Sequence, residues 1–123
     1  MKICISAQGE GITAQVDQRF GRCPYFVFVD SDNMSHESFD NASIQATGGA
    51  GIQAAKFVAD KGAEVVLTGN CGPNAFETLK AAGVKVITGA SGTVEDAVKM
   101  FLSGKLNESQ GPNVGRKFGM GPA

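Results

Sequence analysis

The chain has 123 residues, of which 42% are hydrophobic and 19% charged, and eleven basic against twelve acidic residues leave a net charge of −1. This length and composition are typical of one globular domain with its own core and exclude a fibrous or disordered chain. Because the sequence has neither a basic stripe nor an apolar run of about 20 residues, we expect a cytoplasmic protein that binds neither nucleic acid nor a membrane.

The first part of the chain predicts three strands. Residues 1–6 alternate between apolar and polar positions, and residues 25–29 form an aromatic and β-branched run, so both segments are typical of strands. A short third strand over 36–39 follows the turn-forming residues 30–33. This tight connection predicts that strands two and three form a hairpin.

From residue 51 onward, strands and helices alternate. Helices are predicted over 51–61, 73–82 and 93–103, each followed by a glycine, and strands over 64–68 and 84–88. Such alternation indicates parallel strands joined by crossovers, with helices on both faces of the sheet. Residues 1–106 therefore form the predicted domain, and the glycine-rich residues 107–123 form a predicted flexible tail.

Ten of the seventeen glycines fall in loops that this topology places at the carboxyl edge of the parallel strands. Ligands of open α/β sheets bind outside that edge, where the backbone and helix N-termini can approach an anion. Short strand-to-helix turns also need glycine, so single turns leave both explanations open. The concentration of glycines at one edge favours a binding site, with candidate residues Gly48, Gly49, Gly51, Gly69 and Gly72.

The three cysteines are scattered and form no C-x-x-C pair, so neither a disulfide framework nor a zinc knuckle is expected. Cys71 lies at a strand-to-helix junction, where the helix dipole should lower the pKa of its thiol. Cys23 lies beside Arg19 and Arg22, which should act in the same direction and attract anions. Both cysteines are candidate soft-metal ligands, although packed thiols are the alternative, and Cys4 is predicted to belong to the core.

The sequence lacks the residues that several classes of enzyme require. Residues 49–54 read GAGIQA and fit a dinucleotide-binding pattern, but a polar loop precedes them and no acid ends the next strand. The chain has no P-loop, and its single histidine, His36, is expected on the surface near the hairpin. Because no general acid pairs with a general base, we expect a protein without catalytic activity.

Five segments are similar in order and spacing to one known family. MKI at 1–3, RFGRCPYF at 19–26, GAG at 49–51, GNCGPNA at 69–75 and GTVEDA at 92–97 resemble the dinitrogenase iron-molybdenum cofactor biosynthesis family, as in a small, stand-alone, NifX-like member. The resemblance covers about residues 1–106. Arg19 stands where many relatives have histidine, so no histidine ligand is carried over, and Cys71 stands where many have an aliphatic residue.

The resemblance implies a three-layer, ribonuclease-H-like α/β fold with a five-stranded mixed sheet whose strand two is antiparallel. It also implies binding of the iron-molybdenum cofactor or a related anionic metal-sulfur cluster. We therefore expect a non-catalytic carrier with Cys23 and Cys71 as metal ligands, cluster contacts from Arg19, Arg22 and the glycine loops, and cluster-donor or acceptor proteins as partners. The alternatives are a regulatory or adaptor module that binds a protein partner through the glycine-rich edge without metal, and an enzyme acting on a small anionic substrate.

Overall fold

The structure is a computed structural model that describes residues 1–42, 49–109 and 111–112. Its centre is an open, five-stranded sheet with the strand order β3-β2-β1-β4-β5. Gly48 and most of the predicted tail lie outside the described residues. The elements are β1 (Lys2–Ala7), β2 (Tyr25–Asp30), β3 (His36–Asp40), α1 (Ala50–Asp60), β4 (Val65–Leu67), α2 (Pro73–Ala81), β5 (Lys85–Ile87) and α3 (Val94–Leu102).

Strand directions confirm the predicted mixed sheet. β2 runs antiparallel to β1, with Lys2 opposite Asp30, and antiparallel to β3, with Val29 opposite His36. β1, β4 and β5 are parallel to one another. Strand two is therefore the reversed strand, and strands two and three form the predicted hairpin.

Alternation along β1 divides the core between the two faces of the sheet. Ile3 and Ile5 pack with residues of α3, whereas Cys4 packs with residues of α1 and α2. Successive side chains of a strand point to opposite faces, so one strand supplies both cores. The helices thus cover both faces, as predicted, and none of the described ones is long and apolar enough to cross a membrane.

The loop between β1 and β2 is part of the core around α3. Ile12 and Ala14 pack against that core, and the N–H of Gly11 donates to Ser38 Oγ of β3 at 2.8 Å. The N–H of Val94, the first residue of α3, donates to the carbonyl oxygen of Ala14 at 2.8 Å. This loop therefore covers the part of the sheet that the single helix α3 leaves open.

The chain after α3 returns along β5. The N–H of Ser109 donates to the carbonyl oxygen of Val86 at 2.8 Å, and Ser109 Oγ accepts from the N–H of Thr88 at 3.1 Å. Leu106 packs against the core under α3. Residue 109 is therefore held against the edge of the sheet, while the flexibility predicted for the tail stays a prediction.

Candidate functional site

Three segments meet at the carboxyl edge of β1 and β4, and together we call them the glycine edge: residues 17–23, 49–51 and 69–72. The N–H of Phe20 donates to the carbonyl oxygen of Asn70 at 3.1 Å, and Asn70 Nδ2 donates to the carbonyl oxygen of Gln18 at 3.0 Å. Arg19 and Asn70 also form an isolated parallel bridge. The structure thus brings together the loops that the sequence placed at one edge.

The glycines of this edge allow its segments to pack on one another. A Cβ on Gly21 would lie 3.0 Å from the Cα of Gly51, and a Cβ on Gly51 would lie 3.4 Å from the Cβ of Ala75. A Cβ on Gly69 would lie 2.7 Å from the Cα of Gln18. The sequence predicted Gly51 and Gly69 as binding residues, and this stays a prediction. In the structure Gly21, Gly51 and Gly69 also allow close packing between the segments.

The helix N-termini at this end of the sheet fall into two kinds. At α3, Thr93 and Asp96 form a capping box, in which the N–H of Asp96 donates to Thr93 Oγ1 at 3.1 Å. Among the described residues, no side chain caps α1 at Gly49 or α2 at Gly72. The first N–H groups of a helix carry its positive end. At α1 and α2 these N–H groups can donate to an anion, whereas at α3 the capping box already uses one of them.

Two arginines add positive charge to the same edge. Both Arg19 and Arg22 are exposed, whereas Phe20 and Cys23 beside them are buried. The apolar side chains therefore anchor the loop and leave the guanidinium groups at the surface. Because a guanidinium group presents a planar fork of N–H donors, each arginine can hold an anion through two hydrogen bonds.

The predicted lowering of the cysteine pKa values was wrong. Cys23 and Cys71 are fully buried, and this burial raises the pKa of each thiol to about 12. At Cys23 the backbone N–H of Gly21 acts in the opposite direction, and the negative charge of Asp17 raises the pKa further. Loss of hydration therefore exceeds any effect of the helix N-terminus and the arginines, and both thiols are protonated at neutral pH. Cys4 lies in the core, as predicted.

The donor set fits an anion better than a bare metal ion. Within residues 1–42, 49–109 and 111–112, no group of three or more His, Cys, Asp or Glu side chains is arranged to hold a metal. His36 is exposed on β3, opposite Val29 at the far end of the sheet, where it lines an open cavity of about 330 Å³. Among its described residues, the glycine edge gathers two exposed guanidinium groups and two helix N-termini without side-chain caps, beside the buried carboxylate of Asp17.

Sequence reasoning missed two polar side chains that hold this edge together. Asp17 is only 4% exposed, and its Oδ1 accepts from the N–H of Arg19 at 2.8 Å. Asn41 is equally buried, and its Nδ2 donates to the carbonyl oxygens of Gly21 and Cys23 at 3.0 and 2.8 Å. An acid two residues before an arginine was a usable signal for Asp17. Asn41 is 18 residues from Cys23 in the sequence, and no sequence pattern connects the two residues.

The similarity to known proteins extends over most of the chain. The model of the dinitrogenase iron-molybdenum cofactor family matches residues 1–104. The apo form of the orange protein from Desulfovibrio gigas is 47% identical, with a TM-score of 0.89, over 92% of this chain and 96% of that one. TM1290 from Thermotoga is 37% identical, with a TM-score of 0.76, over 87% and 91% of the two chains. MJ0580 of Methanocaldococcus jannaschii is 28% identical over 97 residues, which are 76% of this chain and 82% of that protein.

Proposed function

The chain belongs to the dinitrogenase iron-molybdenum cofactor family, and on this premise we propose that it is a non-catalytic binding or carrier protein for an anionic metal-sulfur cluster or its precursor. One observation carries the proposal. In the part of the chain that the structure describes, two helix N-termini without side-chain caps and two exposed arginines belong to the same edge of the sheet. Cluster-donor and acceptor proteins would then be its partners.

The chemistry of this edge suits a cargo that is large, negatively charged and rich in sulfur. Backbone N–H groups at a helix start and guanidinium N–H groups donate hydrogen bonds to anionic acceptors, and their charges need no proton transfer. Because Arg19 and Arg22 are exposed, a cluster can reach them without unfolding the domain. Binding of this kind is reversible, as a carrier requires.

Cys23 and Cys71 remain the candidate metal ligands of the proposal, but they enter it as a second step. Both thiols are buried and protonated, so a soft metal would have to displace each proton and reach sulfur beneath the loops. The arginines and helix N-termini would therefore hold the cluster first. Thiolate bonds would follow only where the loops open.

The test is an anaerobic titration of the protein with tetrathiomolybdate and with iron-sulfur cluster donors, followed by amide NMR and metal analysis. We expect amide shifts at residues 19–23, 49–51 and 69–72. A double variant Arg19→Gln, Arg22→Gln should lose binding, whereas Lys56→Gln, Lys85→Gln, which removes the same charge elsewhere, should retain it. The double variant Cys23→Ser, Cys71→Ser separates the two steps, because loss of binding there would make the thiolates primary ligands.

The same titration decides against the proposal if the wild-type protein shows no amide shifts and retains no metal with any of the probes. The glycine edge would then be a surface for a protein partner. In that case the two cysteine substitutions should leave partner binding intact, because neither buried thiol could contact the partner directly.

A further inference from the structure

Asp17 is a buried carboxylate beneath the glycine edge. The residue is 4% exposed, its Oδ1 accepts from the backbone N–H of Arg19 at 2.8 Å, and the same oxygen lies 3.5 Å from Arg19 Nε. A carboxylate taken out of water is costly unless it is paired. The pair with Arg19 therefore offsets part of this cost, and it restrains the Arg19 side chain.

The main chain of Asp17 is fixed to the sheet. Its N–H donates to the carbonyl oxygen of Ser6 at 2.8 Å, and its own carbonyl oxygen accepts from Ser6 Oγ at 2.7 Å. Ser6 Oγ is also 2.7 Å from Thr68 Oγ1, at the end of the neighbouring parallel strand. Asp17 is thus held by β1 and, through Ser6, by the chain after β4, so its carboxylate is a rigid reference point for the loop.

The ion pair occupies only one side of the Arg19 guanidinium group. Asp17 lies against Nε, and in the part of the chain that the structure describes this is the one ion pair of Arg19. The side chain is 57% exposed, and the pair with Asp17 uses Nε rather than either of the two terminal nitrogens. These terminal groups are the donors that hold an anion through two parallel hydrogen bonds.

We propose that Asp17 is a positioning residue for anion binding at the glycine edge: its carboxylate orients the guanidinium group of Arg19 so that the terminal N–H groups receive the ligand. The inference rests on the proposed function and names a further residue in it. A group that is already oriented loses less side-chain freedom on binding, which is why pre-organised sites bind more tightly.

A positioning role and a purely electrostatic role of Asp17 predict opposite changes in anion affinity when Asp17 is removed, so one substitution distinguishes them. If Asp17 acted only as a nearby negative charge, its removal would strengthen the binding of an anion. If it positions Arg19, removal weakens binding although a repulsive charge has been lost. Asp17→Asn changes the charge with almost no change in volume, and Asp60→Asn makes the same change at the exposed end of α1, away from the glycine edge.

The experiment is an anaerobic titration of the full chain with tetrathiomolybdate, comparing the wild type with Asp17→Asn, Arg19→Gln, the double variant and Asp60→Asn. From the net value of a charge-assisted hydrogen bond, we expect Arg19→Gln to weaken binding about tenfold and Asp17→Asn to weaken it about fivefold. In the double variant, Asp17→Asn should add no weakening to that of Arg19→Gln, because Asp17 acts through Arg19. Asp60→Asn should bind as the wild type does.

A second variant covers the case in which Asp17→Asn does not fold. Arg19→Lys keeps the charge at an exposed position but lacks the fork, so positioning predicts binding close to that of Arg19→Gln, and a pure charge effect predicts binding close to that of the wild type. Equal or tighter binding by Asp17→Asn, additive effects in the double variant, or wild-type binding by Arg19→Lys would each overturn the inference alone. A wild-type protein that binds no tetrathiomolybdate would instead remove the proposed function, and this role with it.

Discussion

The backbone of Gly51 passes so near Gly21 that a Cβ on Gly21 would lie 3.0 Å from the Cα of Gly51. Gly21 also has a φ of 95°, which side chains of L-residues rarely adopt. Gly21→Ala therefore combines backbone strain with a contact between two segments of the glycine edge. We expect the free energy of unfolding, measured by urea denaturation, to fall by about 2–4 kcal/mol.

Gly104→Ala is the matched control. Gly104 has a φ of 80°, but within residues 1–42, 49–109 and 111–112 no atom lies within 4 Å of the Cβ that alanine would add. Gly104→Ala should lower the free energy of unfolding only through backbone strain at positive φ, by about 1 kcal/mol. Equal losses in the two variants would mean that the close approach of Gly21 and Gly51 contributes nothing to stability.

Gly69→Ala tests the packing of the first loop on the chain after β4 without backbone strain, because Gly69 is not among the glycines with positive φ. The added Cβ would overlap the side chain of Gln18 and lie 2.7 Å from its Cα. We expect a loss of stability of about 1–3 kcal/mol and weaker binding of tetrathiomolybdate, since residues 17–19 must move. Gln18→Ala in the same protein should restore only part of the loss, because the clash with the Cα persists. If Gln18→Ala restored the stability completely, the added Cβ would clash with the Gln18 side chain alone and not with its Cα.

The sequence predicted the fold well because its signals were local. Alternation along residues 1–6, the glycine after each helix and the polar turn at 30–33 each reflect the geometry of one element, and the parallel order followed from the crossovers. The gathering of the glycine loops could be predicted for the same reason: the carboxyl ends of parallel strands meet at one edge.

The electrostatics of the site could not be predicted, because they depend on contacts between distant segments. The arginines and the helix start near Cys23 and Cys71 argued for low pKa values, but burial by α1 and α2 dominates and raises the pKa of both thiols. The distinction between the helix N-termini was only partly visible in the sequence. The capping box of α3 is visible at Thr93 and Asp96, whereas its supporting bond from the N–H of Val94 to Ala14 crosses 80 residues of sequence.

A charge at the start of α1 should change stability and anion binding in opposite directions. No atom of the described residues lies within 4 Å of a Cβ on Gly49, and its φ of 71° is one that aspartate and asparagine tolerate. Relative to Gly49→Asn, Gly49→Asp should raise the free energy of unfolding by about 0.3–1 kcal/mol through the helix dipole. It should also weaken tetrathiomolybdate binding about tenfold, because the carboxylate repels the anion from the same N–H groups.

Thr93→Ala supplies the control at the helix whose N-terminus is already capped. Loss of the capping box should cost about 1 kcal/mol of stability and leave tetrathiomolybdate binding unchanged, since α3 is not part of the glycine edge. If Gly49→Asp bound as tightly as Gly49→Asn, or if Thr93→Ala weakened binding, the assignment of the anion to α1 and α2 would be wrong.

The buried thiols of Cys23 and Cys71 should make the protein less stable in alkali. In the unfolded chain a cysteine ionises near pH 8.5, whereas burial raises the pKa of both thiols to about 12 in the folded protein. Between these values the unfolded chain has lost protons that the folded protein retains, so the free energy of unfolding falls as the pH rises. The slope is at most about 1.4 kcal/mol per pH unit for each cysteine.

Urea denaturation between pH 7 and 11 of the wild type and of the double variant Cys23→Ala, Cys71→Ala measures this effect, because lysines and the tyrosine titrate in both proteins and cancel in the comparison. The difference in unfolding free energy should be constant below pH 8 and change in favour of the variant above pH 9. At pH 8, iodoacetamide should alkylate both cysteines far more slowly in the folded protein than in urea, since the thiolate is the nucleophile. A constant difference together with fast alkylation of the folded protein would show that both cysteines ionise near pH 8.5 in the folded protein as they do in the unfolded chain. Cys23 and Cys71 would then be accessible thiols able to bind a metal directly, without the loop opening that the buried thiols require.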